Sequence, residues 1–96
     1  MKVFIMRPGE KLDFEVDYSQ LLAVTSDSLV QSSWSVTQLG GTGGTFAVSG
    51  VPSFADGIAV AFFAGGQSGE AYKATNTVQT AGGRTYVRSF IVEIKE

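Results

Sequence analysis

The residues whose types and spacing come closest to a chemical site are three carboxylates on alternate positions of one segment. Asp13, Glu15 and Asp17 fall on one face of a predicted strand, with neighbours about 7 Å apart by strand rise. That spacing would suit a paired-carboxylate reaction or a calcium ion. We favour the simpler interpretation, a solvated strand face, because the residues between the carboxylates are apolar and would fill the opposite face.

Two residue types needed for most enzymatic chemistry are missing. The chain has no histidine and no cysteine, which removes the commonest general base, the usual nucleophile and base pairs, and most zinc sites. The glycine-rich segments Gly40–Gly44 and Gly65–Gly69 lack both the lysine and the following helix of a phosphate-binding loop. We interpret them as sandwich loops, and Gly40–Gly44 could also order on binding a partner. We therefore predict no enzyme activity, no cofactor and no metal.

Length and charge narrow the class of protein further. A chain of 96 residues is the size of one compact domain, and we assign residues 1–96 to it. The formal net charge is −2, and no run of lysine or arginine is present to follow a phosphate backbone, so we expect no nucleic-acid partner. The apolar run Val3–Met6 is too short for a signal-peptide core or a membrane span. We therefore expect a soluble protein without a membrane partner, not exported by the Sec route.

The elements that must position these side chains are strands. Only 17% of the residues are charged, and no window holds an apolar period of 3.6 residues, so we predict no substantial helix. Short β-branched and aromatic runs between turn residues predict an all-β protein, an immunoglobulin-like antiparallel β-sandwich of about seven strands. Residues 1–7 would be an N-terminal arm or strand. The predicted segments are Val3–Met6, Lys11–Asp17, Leu21–Val24 (a short strand or turn), Ser28–Val36, Thr45–Ser49, Ile58–Ala64, Tyr72–Gln79 and Arg84–Lys95, the last two forming a hairpin.

Four residues are predicted to be structural. Trp34 holds an inward-alternating position, which is more typical of a core residue than of a sugar-binding surface. Tyr72 follows a Gly-x-x-Tyr pattern that begins at Gly69, and this indicates the tyrosine corner of immunoglobulin-like domains. Asn76 shares the inward face of Tyr72, so its amide needs buried partners. Phe90 points inward on the final strand.

The segment Ile58–Ala64 differs from the other predicted strands because both of its faces are apolar. Phe62 belongs to one face and Phe63 to the other, whereas a strand in an antiparallel sandwich should have one wet face. If the core takes one phenylalanine, a loop, the N-terminal arm or another subunit must cover the other. The candidate subunit interface therefore consists of Ile58, Val60, Phe62 and Phe63.

The last third of the chain resembles a known family. The residues that carry the resemblance are Gly65-Gly66, Gly69, Tyr72, Thr75-Asn76-Thr77-Val78, Thr80 and Gly83-Arg84, with weaker likeness at Asp17-Tyr18-Ser19 and Ser33-Trp34. They are similar to small immunoglobulin-like phage and prophage proteins, the fiber-tail adaptor or neck-region components. The likeness covers roughly residues 11–96, and Gly40–Gly44 departs from it by its glycine content. It implies a virion location, contacts with other tail or connector subunits, and no cofactor.

These observations together predict a non-enzymatic bacteriophage virion structural protein. We expect a tail or neck fiber-tail adaptor, or a connector subunit, that acts by oligomeric packing. Its partners would be other tail, neck or fiber proteins and further copies of itself, and it would lie in the host cytoplasm before assembly. The alternatives are a capsid decoration protein, a carbohydrate- or receptor-binding sandwich module, and a carboxylate-only hydrolase.

Overall fold

A computed structural model describes all 96 residues, Met1 to Glu96. The elements in chain order are β1 (Lys2–Met6), β2 (Lys11–Asp17), α1 (Ser19–Thr25), β3 (Leu29–Gly40), β4 (Ala47–Ala55), β5 (Ile58–Ala64), β6 (Ala71–Thr80) and β7 (Thr85–Ile94). The prediction of an all-β protein with seven strands is confirmed. The seven-residue α1 is the one helix, and no helix of the structure is long and apolar enough to span a membrane.

The strands form two sheets that pack face to face. One has four strands in the order β1-β7-β6-β3, and the other has three in the order β2-β5-β4. All neighbouring strands run antiparallel except β1, which lies parallel to β7. The predicted immunoglobulin-like sandwich is therefore confirmed. Its first strand, β1, lies at the edge of the four-stranded sheet, next to the last strand, β7.

Aromatic side chains fill the space between the sheets. Phe63 stacks on Phe46 with 5.5 Å between ring centroids, and it meets the edges of Trp34 and Phe90 at 5.4 and 6.1 Å. Edge-on and offset pairs of this kind contribute about 0.5–1.5 kcal/mol each beyond the area they bury. This cluster is the main stabilising feature of a chain that has no cysteine to cross-link it.

The segment between β2 and β3 corrects one prediction. Leu21–Val24 was predicted as a short strand or turn, and no substantial helix was expected, but Ser19–Thr25 forms α1. Asp17 Oδ1 accepts the Ser19 N–H at 2.8 Å where the helix begins, and Leu22 is its one buried residue. Two turns are too short to display an apolar period of 3.6 residues in the sequence. The helix forms because Leu22 packs against the rest of the protein.

The strand β4 is longer than predicted. Thr45–Ser49 was expected to end at Gly50-Val51-Pro52, yet the strand runs from Ala47 to Ala55. Its register against β5 shifts between Ser49 and Ser53, so the three turn residues form a bulge within it. An edge strand tolerates Pro52 because its missing N–H removes no ladder bond on the open side.

Candidate assembly surface

The central strand of the three-stranded sheet places its two phenylalanines on opposite sides. Phe63 is fully buried in the aromatic cluster, whereas Phe62 is 46% exposed. Including Phe63 in the candidate subunit interface was therefore wrong, because its ring is enclosed by Phe46, Trp34 and Phe90. The side chains that remain on the outer face of β5 are Ile58, Val60 and Phe62, which we call the β5 stripe.

The β5 stripe lies between two rows of different chemistry. On one side its members pair with the carboxylates of β2, which we call the acidic row, in the register Asp13 to Phe62, Glu15 to Val60 and Asp17 to Ile58. On the other side they pair with the small residues Ser49, Ser53 and Ala55 of β4. Phe62 is exposed on this face, and Ile58 and Val60 are half-buried. The Lys11 ammonium lies over the Phe62 ring, 5.7 Å from its centroid, and the side chain still has 46% of its surface exposed.

The acidic row is not arranged as a metal site. No group of three or more acidic side chains lies close enough to hold a metal ion. Asp17 is already engaged, since hydrogen bonds from the Ser19 side chain and backbone lower the pKa of its carboxyl group. The row therefore gives one rim of the β5 stripe a negative charge, and its geometry offers no ligand set.

The outer face of the four-stranded sheet has a different chemistry. One row of hydroxyl side chains crosses it, with Ser35, Thr75 and Ser89 paired in register on β3, β6 and β7. Toward the β1 edge the same face also carries the exposed apolar residues Val3, Ile5 and Val87. The Oγ atoms of Thr75 and Ser89 are 2.9 Å apart. Lys73 is the charged residue in the middle of this face. The inner strand β6 therefore has a wet side, which β5 lacks.

The structure places Asn76 at the centre of a buried polar network. Asn76 Oδ1 accepts the Tyr18 hydroxyl at 2.9 Å, and Nδ2 donates to Ser32 Oγ at 2.9 Å and to the Ser33 carbonyl at 3.0 Å. Burial raises the pKa of Tyr18, so its hydroxyl keeps the proton that it donates. Tyr18 follows β2, so this network joins the two sheets across the sandwich.

Trp34 and Phe90 lie on the inner face of the four-stranded sheet. Trp34 meets the Phe90 ring at 6.1 Å as well as that of Phe63. Its indole Nε1 is buried and has no hydrogen-bond partner. The ring therefore offers a sugar neither a flat exposed surface nor an accessible hydrogen-bond donor.

Tyr72 is buried at the start of β6, but its hydroxyl differs from that of an antibody tyrosine corner. The hydroxyl donates to Glu70 Oε1 at 2.7 Å instead of reaching a backbone group a few residues upstream. The Phe46 ring stacks on the Tyr72 ring, with 4.8 Å between the two centroids. Burial raises the pKa of Tyr72, and hydrogen bonds from Tyr72 and from the Gln67 backbone lower the pKa of Glu70.

The loop Gly40–Gly44 is held against this tyrosine. Gly44 N–H donates to Gln38 Oε1 at 3.0 Å, and Gln38 Nε2 donates to the Gly40 carbonyl at 3.1 Å. A Cβ at Gly44 would overlap the Tyr72 hydroxyl. At least one glycine of this loop is therefore required by close packing.

Asp27 has a structural role that the sequence did not reveal. Its carboxylate accepts the Gly82 N–H at 2.9 Å and pairs with Arg84 Nη1 at 3.1 Å, and its side chain is 3% exposed. The Thr80 hydroxyl, the backbone N–H groups of Ser28 and Gly82, and Arg84 together lower its pKa from 3.8 to about 2. Asp27 thus ties the connection before β3 to the turn between β6 and β7. Because its partners lie more than fifty positions away, no local pattern could have indicated them.

The chain matches the profile of a known family. The profile of the family described as podophage GP4 fiber-tail adaptor protein gp77 matches residues 6–93. The matched range includes all the strands of the three-stranded sheet and most of β7. No curated protein matches the chain significantly.

Proposed function

The chain belongs to the podophage GP4 fiber-tail adaptor family gp77, whose description makes it a structural component of the phage tail and of the virion, and on that premise we propose that it works by packing alone, with the β5 stripe seated against a neighbouring subunit. It catalyses no reaction. It binds tail, neck or fiber proteins and further copies of itself, and it lies in the host cytoplasm until assembly.

The observation that carries this proposal is the uncovered apolar face of a central strand. Central strands of antiparallel sandwiches normally present polar residues to water on their outer side, as β6 does in the same molecule. Three adjacent apolar side chains at this position would lose contact with water on binding a partner, which is favourable by about 25 cal/mol per Å². The acidic row beside them favours a partner surface that carries lysine or arginine.

The size of the face limits what it can do alone. Three strands of about seven residues, with a rise of about 3.3 Å and a spacing of about 4.8 Å, span roughly 330 Å². A standard interface buries about 800 Å² on each partner. We therefore expect the β5 stripe to be the centre of a contact that extends over neighbouring loops or is repeated in several copies of the chain.

A charge placed on the β5 stripe tests the proposal. Phage particles assembled with Phe62→Asp should contain at least tenfold less of this protein than wild-type particles, because the carboxylate would be buried without a partner. The matched control is Val24→Asp, at a residue that is 86% exposed on α1, outside the three-stranded sheet, and it should incorporate normally. Quantitative mass spectrometry of purified particles measures both, and circular dichroism checks that both variants fold. Equal incorporation of the two variants would overturn the proposal.

A further inference from the structure

The edge of β7 that faces β1 is only partly covered. β1 pairs with β7 from Phe90 to Ile94, although β7 begins at Thr85. On its other side β7 is paired with β6 along nearly its whole length. The first half of β7 therefore has a neighbouring strand on one side and none on the other.

The backbone groups on the uncovered side can be identified from the register. Thr80 N–H donates to the Arg84 carbonyl, and Ile94 N–H donates to the Glu70 carbonyl. Alternate residues of a strand direct their backbone groups to the same neighbour. The even-numbered residues of β7 therefore direct their N–H and carbonyl groups to β6. Thr85 and Val87 therefore direct their N–H and carbonyl groups to the vacant side.

One of these groups is occupied by a side chain of the same strand. Arg88 Nη1 donates to the Val87 carbonyl at 2.8 Å, and its guanidinium lies 5.9 Å from the Tyr86 ring centroid. A charged side chain laid along an open edge is a common way to keep that edge from pairing with other chains. Arg88 is exposed, so it can move aside when a strand binds.

A groove of about 560 Å³ borders the same edge. The carboxylates of the acidic row line it on the β2 side, and Lys2 and Arg88 line it on the side of β1 and β7. A strand laid along β7 would direct every second side chain into this groove. The floor is formed by Phe4, Phe14, Val16 and Phe90.

We propose that the uncovered edge of β7 from Thr85 to Ser89 is a strand-addition site for an extended segment of a partner protein. The unpaired backbone groups require an extended main chain, which provides affinity without regard to sequence. The groove selects apolar side chains at alternate positions of the bound strand. The acidic row favours a lysine or arginine at one of those positions. The uncovered backbone lies on β7 of the four-stranded sheet, whereas the groove also uses β2, whose acidic row borders the β5 stripe as well.

A tethered probe strand makes even weak addition measurable. The segment Val-Thr-Lys-Thr-Val places both valines and the lysine on one strand face. Joined upstream of Met1 by a Gly-Ser linker, it would reach the edge at an effective concentration of about a millimolar. Amide exchange of Thr85 and Val87 should slow at least tenfold relative to the untethered chain, because both N–H groups gain a partner. Unchanged exchange would overturn the proposal.

Two substitutions show whether the main chain carries the interaction. Val87→Pro removes an N–H that has no partner in the free protein, so the tethered chain should fold but lose protection at Thr85. Val87→Thr keeps the N–H and should retain protection. If Val87→Pro does not fold, Thr85→Pro at the first residue of β7 serves the same purpose, with Val87 as the reporter. Protection that persists in the proline variant, or that appears in the untethered chain only at high concentration, would contradict a partner segment and indicate side-chain contact or self-pairing instead.

Discussion

The central strand of the three-stranded sheet, β5, and one of the two inner strands of the four-stranded sheet, β6, differ in their outer faces. In β6, buried residues such as Tyr72 and Val78 alternate with Lys73, Thr75 and other polar residues, so one side is dry and the other is wet. In β5 both sides are apolar, and only the side that carries Phe63 is covered by the chain itself. A sandwich needs one apolar face per sheet to fold. The second apolar face of β5 is therefore surplus to folding, and it is the feature that a structural adaptor needs.

The largest expected effect separates the two neighbouring phenylalanines. Phe63→Ala should lower the free energy of unfolding by about 3–5 kcal/mol, because it removes the ring at the centre of the aromatic cluster. Phe62→Ala should change it by about 0.5 kcal/mol or less, as surface substitutions do. Urea unfolding of the isolated chain measures both. Similar losses for the two variants would mean that the chain itself, and not a partner, uses the outer face of β5.

A smaller effect is expected where the two sheets are joined. Tyr18→Phe should cost about 1–3 kcal/mol, because it leaves the buried Asn76 Oδ1 without a donor. Tyr86→Phe is the matched control, since Tyr86 stacks on Tyr18 at 6.1 Å but is only half-buried, and it should be nearly neutral. Thermal unfolding compares the two. If Tyr18→Phe were also neutral, the Asn76 network would not hold the two sheets together.

The smallest expected effect depends on pH. The pKa of Asp27 is lowered from 3.8 to about 2, so its contribution to stability is fully present above about pH 4 and is lost as the pH falls toward 2. Asp27→Asn should remove that part of the acid dependence and leave the rest. Asp56→Asn, at a turn residue with φ of 54°, is the control and should unfold with acid as the wild type does. Melting temperatures between pH 2 and 6 test both variants, and identical acid profiles for Asp27→Asn and wild type would exclude the role of Asp27.

The sequence predicted the strands with regular alternation best. The observed bounds of β2 and β5 are those predicted for Lys11–Asp17 and Ile58–Ala64. In β2 apolar and charged residues alternate over seven positions, and β5 is an apolar run of seven residues between turn residues. Which face of β5 points inward could not be predicted, since alternation defines two faces but not their direction when both are apolar. The helix α1 and the role of Asp27 were missed because each depends on contacts with residues distant in sequence.

We expect a neighbouring subunit to cover the β5 stripe in the particle. Electron microscopy of the purified phage tail, at a resolution that shows side chains, tests this most directly. We predict that Phe62 and Val60 lie within about 4.5 Å of another chain, with lysine or arginine of that chain beside the acidic row. A map in which the β5 stripe faces solvent, while the hydroxyl-rich face of the four-stranded sheet forms the subunit contact, would contradict it.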